Sequence, residues 1–146
     1  MDLILWRHAE AEEGGADLER RLTPKGEQQA VAMARWMLAR LPRDFRVIAS
    51  PAVRAQQTAK ALTVPFETEK LLAPGASIAN ILRAAGWPRQ GSVVLVGHQP
   101  DLGRVAAHLV AGANSEWRID KAALWWLSGE VQASIVAVIS PALIER

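Results

Sequence analysis

DLILWRHAEAEE, residues 2–13, runs through four consecutive apolar side chains, Leu3 to Trp6, then turns at once to arginine, histidine and three glutamates. An apolar run this short, without polar alternation, reads as a strand buried on both faces, as in a parallel sheet. The charge that follows it falls at the strand's carboxyl end. In open α/β sheets that is the end where ligands bind.

The rest of the chain alternates in the same manner. In LTPKGEQQAVAMARWMLARL (22–41), Thr23 is placed to cap a helix and Pro24 takes its first position, with Ala30, Met33, Ala34, Met37 and Leu41 at helical spacing. FRVIASP (45–51) gives a second strand, and Ser50-Pro51 begins a helix with Ala52, Ala55, Ala59 and Leu62 on one stripe. VPFETE (64–69) reads as a third short strand, SIANILRAAG (77–86) as a helix closed by Gly86, and GSVVLVGHQP (91–100) as the most strand-like segment. A helix follows from Pro100, with Leu102, Val105, Ala106, Leu109 and Val110 at its apolar positions. AALWWL (122–127) and VQASIVAVI (131–139), joined across Ser128, Gly129 and Glu130, form a closing hairpin in which adjacent Trp125 and Trp126 face opposite ways. The expected fold is a three-layer α/β/α arrangement, a mostly parallel sheet with an antiparallel edge strand. At 146 residues, half of them apolar, the chain is expected to be a single domain over 1–146.

Composition narrows the function. The chain has no cysteine, which excludes disulfides and thiolate chemistry and points to a reducing, cytoplasmic setting. No stretch is long and apolar enough to span a membrane, and no secretory signal opens the sequence. Seventeen Lys and Arg against 15 Asp and Glu leave a net charge of +2, too weak for nucleic-acid binding unless the arginines cluster. The arginines therefore carry the question.

Arg7 and His8 end the first strand, Ser50-Pro51 leads from the second to Arg54, and His98 ends the strand at 93–97. Two arginines and two histidines thus fall on one rim, a composition suited to a phosphate dianion. Arginines grip its oxygens in bidentate fashion, and helix N-termini near 24, 51 and 100 would add oriented amides. A lone histidine at a strand end is more often structural, but the joint placement reverses that reading. His108 lies across its helix from the apolar stripe and is expected in solvent. A metal site is not expected, because no paired-histidine spacing exists and two arginines would repel a cation.

RHA after a first strand, LTPKG (22–26), SPAVRAQQT (50–58) and VGHQPDLG (96–103) together resemble the histidine phosphatase (phosphoglycerate mutase-like) superfamily, and most of all its short SixA-type phosphohistidine phosphatases. The four motifs come in the family's order and span nearly the whole chain. Ala9 stands where the family usually has glycine. The resemblance implies that His8 is the nucleophile, forming a phosphohistidine that water then hydrolyses, and that Arg7, Arg54 and His98 hold the phosphoryl oxygens. It implies no cofactor and no metal. The partner it implies is a phosphohistidine-bearing protein domain, with a small-molecule phosphomonoesterase or a catalytically idle phosphate-binding module as the alternatives.

No residue matches the carboxylate with which mutase-type relatives protonate the leaving oxygen; Asp17, Glu67 and Glu69 are the candidates. Glu10, Glu12 and Glu13 read as a solvated loop. From Thr58 to Gly97 no length is left for a lid, so a protein-borne substrate is expected, docked on a rim that includes Arg83, Arg89 and Arg104.

Overall fold

A computed structural model describes residues 1–144. The elements are β1 (Asp2–Arg7), α1 (Pro24–Leu38), β2 (Phe45–Ala49), α2 (Val53–Lys60), β3 (Glu67–Thr68), α3 (Ile78–Ala85), β4 (Ser92–Gly97), α4 (Asp101–Ala111), β5 (Leu124–Gly129), β6 (Ala133–Ile139) and α5 (Pro141–Ile144). The six strands form one sheet in the order β3-β2-β4-β1-β5-β6. The first four strands in that order run parallel, β5 runs antiparallel to β1, and β6 pairs antiparallel with β5.

The apolar runs become the middle of this sheet because both of its faces are covered. Leu3, Ile4, Leu5 and Trp6 are all fully buried, and so are Val93 to Val96 of β4. Burial of each such side chain is worth about 1.5–3 kcal/mol relative to exposure. On one face Ile4, Trp6, Val94 and Val96 meet Met33 and Met37 of α1 and Ala55 and Ala59 of α2. On the other, Leu3, Leu5, Val93 and Leu95 meet Ile81 of α3 and Leu102, Val105 and Leu109 of α4. Trp125 and Trp126 divide between the two faces, Trp125 beside Trp117 and Trp126 edge-on to Trp36. No helix among the described residues is long and apolar enough to cross a membrane.

Helix ends follow the sequence closely. The Thr23 hydroxyl accepts from the Gly26 amide with Pro24 at the first position, the Ser77 hydroxyl accepts from the Asn80 amide, and Gly86 ends α3 in the left-handed region at φ 71°. Two elements differ from expectation. The second helix starts at Val53, because the Ser50 hydroxyl accepts from the Ala52 amide and keeps Ala52 extended. The third strand shrinks to Glu67–Thr68, since Pro65 has no N–H to give to a ladder.

The chain order creates a switch point. From β1 the chain crosses through α1 to β2 on one side of β4, whereas from β4 it crosses through α4, on the opposite face, to β5. Beyond the carboxyl ends of neighbouring β1 and β4 a crevice opens, and His8 and His98 are the first residues past those ends.

Gly26 is the fixed point under that crevice. A Cβ there would collide with the Glu10 backbone carbonyl, so α1 lies against the turn that follows His8 only because residue 26 lacks a side chain. Gly26→Ala gains up to about 1 kcal/mol of helix propensity, but overpacking against fixed backbone costs about 1–3 kcal/mol. Urea unfolding should therefore show Gly26→Ala to be less stable than wild type; equal or greater stability would mean that the turn yields freely.

Candidate active site

His8, Arg7, Arg54 and His98 line one cavity of about 400 Å³, together with Ala11, Glu13, Asp17, Arg20, Pro74, Gln99 and Lys121. β1 ends at Arg7, and His8, although its amide still donates to the Gly97 carbonyl, lies past the last paired residue. Consecutive residues here reach the same cavity, which a continuing strand would have prevented.

The polar groups fix one another. Nδ1 of His8 lies 2.7 Å from the Ala9 carbonyl, an acceptor, so Nδ1 carries the hydrogen and Nε2 keeps its lone pair. Nε of Arg54 donates to that Nε2 at 3.3 Å. The same guanidinium donates through Nη1 to the Asp17 carbonyl at 2.6 Å, and through Nη2 to the Asp17 carboxylate at 3.3 Å and to Nδ1 of His98 at 3.4 Å. An arginine can only donate, so His98 Nδ1 is an acceptor and its hydrogen sits on Nε2, which donates to the Ser50 hydroxyl at 2.7 Å. Arg7 donates through Nη1 to the Ile119 carbonyl at 2.8 Å, while its buried Nε has no partner.

Both imidazoles are held neutral. Burial is the main cause of the low pKa of His8, about 4; the Ala9 carbonyl opposes it, and Arg54, Arg7 and Arg20 reinforce it. Burial, then the neighbouring His8 ring and Arg54, take His98 to about 3. The rings stand 5.3 Å apart, centre to centre. For Asp17, burial pulls upward, but Arg54 and Arg20 outweigh it, leaving the carboxyl below its usual range.

Several expected contributors lie elsewhere. Glu67 faces Arg46 at 3.8 Å and Glu69 caps the turn at Leu71, so neither carboxylate reaches the cavity. Glu10 is not merely solvated; it accepts from the Thr23 hydroxyl at 2.8 Å. The N-terminus of α1 is capped by Thr23 and contributes no residue to the cavity lining. Arg89 stands in the turn before β4, whose Gly91 carbonyl accepts from the Asp2 amide; this is the opposite rim of the sheet, and Arg83 ends α3 on that same side. Arg104 is engaged with Glu116. His108 is exposed. Among the described residues no three His, Cys, Asp or Glu gather as a metal would require.

Other contributors went unassigned in the sequence. Ser50 and Thr58 are fully buried, and Thr58 takes the Ala9 amide while donating to the Arg54 carbonyl. Both lie inside SPAVRAQQT, where the signal was available. Asp101, nearly buried, receives the Gly75 and Ala76 amides and so holds the Pro74 wall. Lys121 lies in an irregular connection that carries no periodic signal.

A family model for the histidine phosphatase superfamily, branch 1, matches residues 3–74. Phosphohistidine phosphatase SixA of Escherichia coli is 30% identical over 122 residues, covering 77% of this chain and 76% of SixA. The chain belongs to the histidine phosphatase superfamily. It is a phosphatase, a hydrolase of that superfamily. An uncharacterised protein of Picosynechococcus sp. is 35% identical over 125 residues, covering 77% of this chain and 74% of its own. The fold matches that of the protein histidine phosphatase SixA complexed with tungstate, with a TM-score of 0.85 at 23% identity over 98% of this chain and 99% of the other.

Neutral burial of two histidines ties this phosphatase's stability to pH. In the unfolded chain both rings take up protons near pH 6.5, while in the folded protein they resist down to about 4 and about 3. Their contribution is therefore complete above about pH 6.5 and is lost as pH falls toward those folded values. Urea unfolding at pH 7.5 and pH 5 should give the lower stability at pH 5, and His98→Asn should shrink the difference. A difference unchanged in His98→Asn would contradict this assignment.

Proposed function

We propose that this protein is a phosphohistidine phosphatase that removes the phosphoryl group from a phosphohistidine on a protein partner, acting in the cytoplasm, through a covalent intermediate on His8. The observation that carries the reading is the His8 ring: its hydrogen is committed to Ala9, and its Nε2, left unprotonated, is held by Arg54 in the wall of a cavity where four cations outnumber two carboxylates. The similarity to SixA supports the choice of substrate.

In this mechanism Nε2 of His8 attacks phosphorus, the P–N bond to the substrate imidazole breaks, and that imidazole leaves with a proton from water. Water then attacks the phosphoenzyme, releasing phosphate and returning the lone pair to Nε2. Arg54 first holds the ring through its Nε–H and passes that donor to a phosphoryl oxygen as Nε2 bonds to phosphorus. Arg7 supplies its charge and its second terminal nitrogen, Nη2, since Nη1 is engaged by the Ile119 carbonyl. His98 Nδ1 accepts the hydrogen of a monoprotonated phosphoryl group. Positioning and fixed positive charge are what phosphoryl transfer asks of a protein. The arginines already bring the charge that a metal would, and turnover should survive exhaustive chelation.

His8→Ala should abolish turnover yet bind phosphate analogues within about tenfold of wild type, a difference of about 1.4 kcal/mol. An alkaline denaturing quench after mixing with labelled substrate, which preserves the acid-labile P–N bond, should trap a phosphoenzyme in wild type only. Turnover by the pure variant would remove His8 from the mechanism, and no trapped intermediate would favour the idle binding module.

Arg54→Ala should lose about 2–4 kcal/mol of transition-state stabilisation, as for one preorganised donor. Lysine should restore only part, because one ammonium cannot reach His8, His98 and Asp17 at once. A kcat/KM within twofold of wild type would place Arg54 outside the reaction.

A phosphohistidine-bearing protein domain should exceed sugar phosphates and phosphoserine peptides by at least about a hundredfold in kcat/KM. A sugar phosphate in first place would replace the protein substrate with a small molecule while leaving the His8 chemistry intact.

A further inference from the structure

A second cavity, of about 340 Å³, adjoins the phosphoryl cavity and shares two of its walls, Arg7 and Lys121. Arg118, Asp120, Gln29, Ser140 and the first residues of α5 complete it. Its charged lining is three cations against one carboxylate. That carboxylate, Asp120, is taken by Arg118 at 2.9 Å, and Lys121 pairs with no carboxylate among the described residues.

The segment carrying these charges is tied to the strand that carries His8. Trp6 Nε1 donates to the Ala122 carbonyl at 2.8 Å, Arg7 Nη1 to the Ile119 carbonyl, the Arg7 amide to the Ala123 carbonyl, and the Ala122 amide to the His8 carbonyl. Ile119, between Arg118 and Asp120, is fully buried. The backbone that bears Arg118 and Lys121 is thus fixed relative to His8 before any substrate arrives. A surplus of positive charge beside a phosphoryl site, on a backbone that does not have to be ordered first, suits an anion.

We infer that this cavity is a subsite for a second anionic group on the substrate, a carboxylate or phosphate carried close to the phosphoryl group that His8 attacks. The inference rests on the phosphoryl-site reading above. Because Arg7 and Lys121 border both cavities, the two anions belong to one small molecule or to neighbouring side chains of one protein.

The test compares matched substrates by the ratio of their kcat/KM values. One pair is a phosphohistidine peptide flanked by glutamate against the same peptide flanked by glutamine. The other is phosphoglycolate against ethyl phosphate. In at least one pair the acidic member should be favoured about fivefold at low salt, with the ratio shrinking as salt is added. Which pair shows it tells a protein-borne anion from a small-molecule one. Arg118→Ala should bring that ratio to within twofold of unity, and Asp120→Asn, which removes the one opposing charge, should raise it. Affinities for phosphoglycolate and ethyl phosphate measured by calorimetry on His8→Ala give a ratio that does not depend on turnover. Equal handling of both members in wild type, or a full preference surviving in Arg118→Ala, overturns the subsite. Absence of turnover on every substrate would instead count against the phosphatase mechanism, and the calorimetric ratio would still decide the subsite.

Discussion

The site is organised around one buried cation. Arg54 is 3% exposed, and its guanidinium donates to two imidazole nitrogens, a backbone carbonyl and a single carboxylate. Burying a charge is tolerable only when its donors are met, and two of the acceptors here are lone pairs that a protonated ring would not have. Neutrality of His8 and His98 and the burial of Arg54 are therefore one condition. A neutral imidazole is also the form able to attack phosphorus, so what stabilises the resting site also suits the proposed role of His8.

That arrangement follows from topology. Parallel pairing of β1 with β4, in register from Asp2 opposite Ser92 to Arg7 opposite Gly97, brings two histidines side by side from positions ninety residues apart in the chain. β2 pairs with the other edge of β4, and the loop after it delivers Ser50 to His98 and leads into α2, which carries Arg54. Thr58, one turn beyond Arg54, closes the loop by binding both the Arg54 carbonyl and the Ala9 amide. Three strand ends and one helix are enough to aim four side chains into one cavity.

Much of this could be read from the residues, and what could not has physical reasons. Continuous apolar runs set the inner strands because burial on both faces leaves no room for polar alternation. Thr23 and Gly86 marked their helix ends through local hydrogen bonding and backbone conformation, which depend on few neighbours. Arg7, His8, Arg54 and His98 were legible as one cluster because strand ends share a rim. The distribution of the remaining charges was not legible. Glu67, Glu69, Arg83 and Arg89 were assigned by type alone, and only the way each element runs against the sheet places them away from the cavity. Asp17 contributes a backbone carbonyl as well as its carboxylate, and no side-chain pattern encodes a carbonyl.

The carboxylates at the cavity bear on the leaving group. An alkoxide leaving from an ester needs a proton, and an efficient donor has a pKa near the working pH, which for a carboxyl means a raised one. Asp17 is held in the opposite direction, ionised between Arg54 and Arg20, and Glu13 stands exposed at the mouth. Asp17 is also largely exposed, and the two guanidiniums keep it a carboxylate. Such a cavity is poorly equipped to protonate an alkoxide, whereas in the proposed reaction the P–N bond is labile and the imidazole departs with less assistance. The same two arginines that fill the cavity with positive charge thus fit the proposed choice of phosphohistidine over an ester.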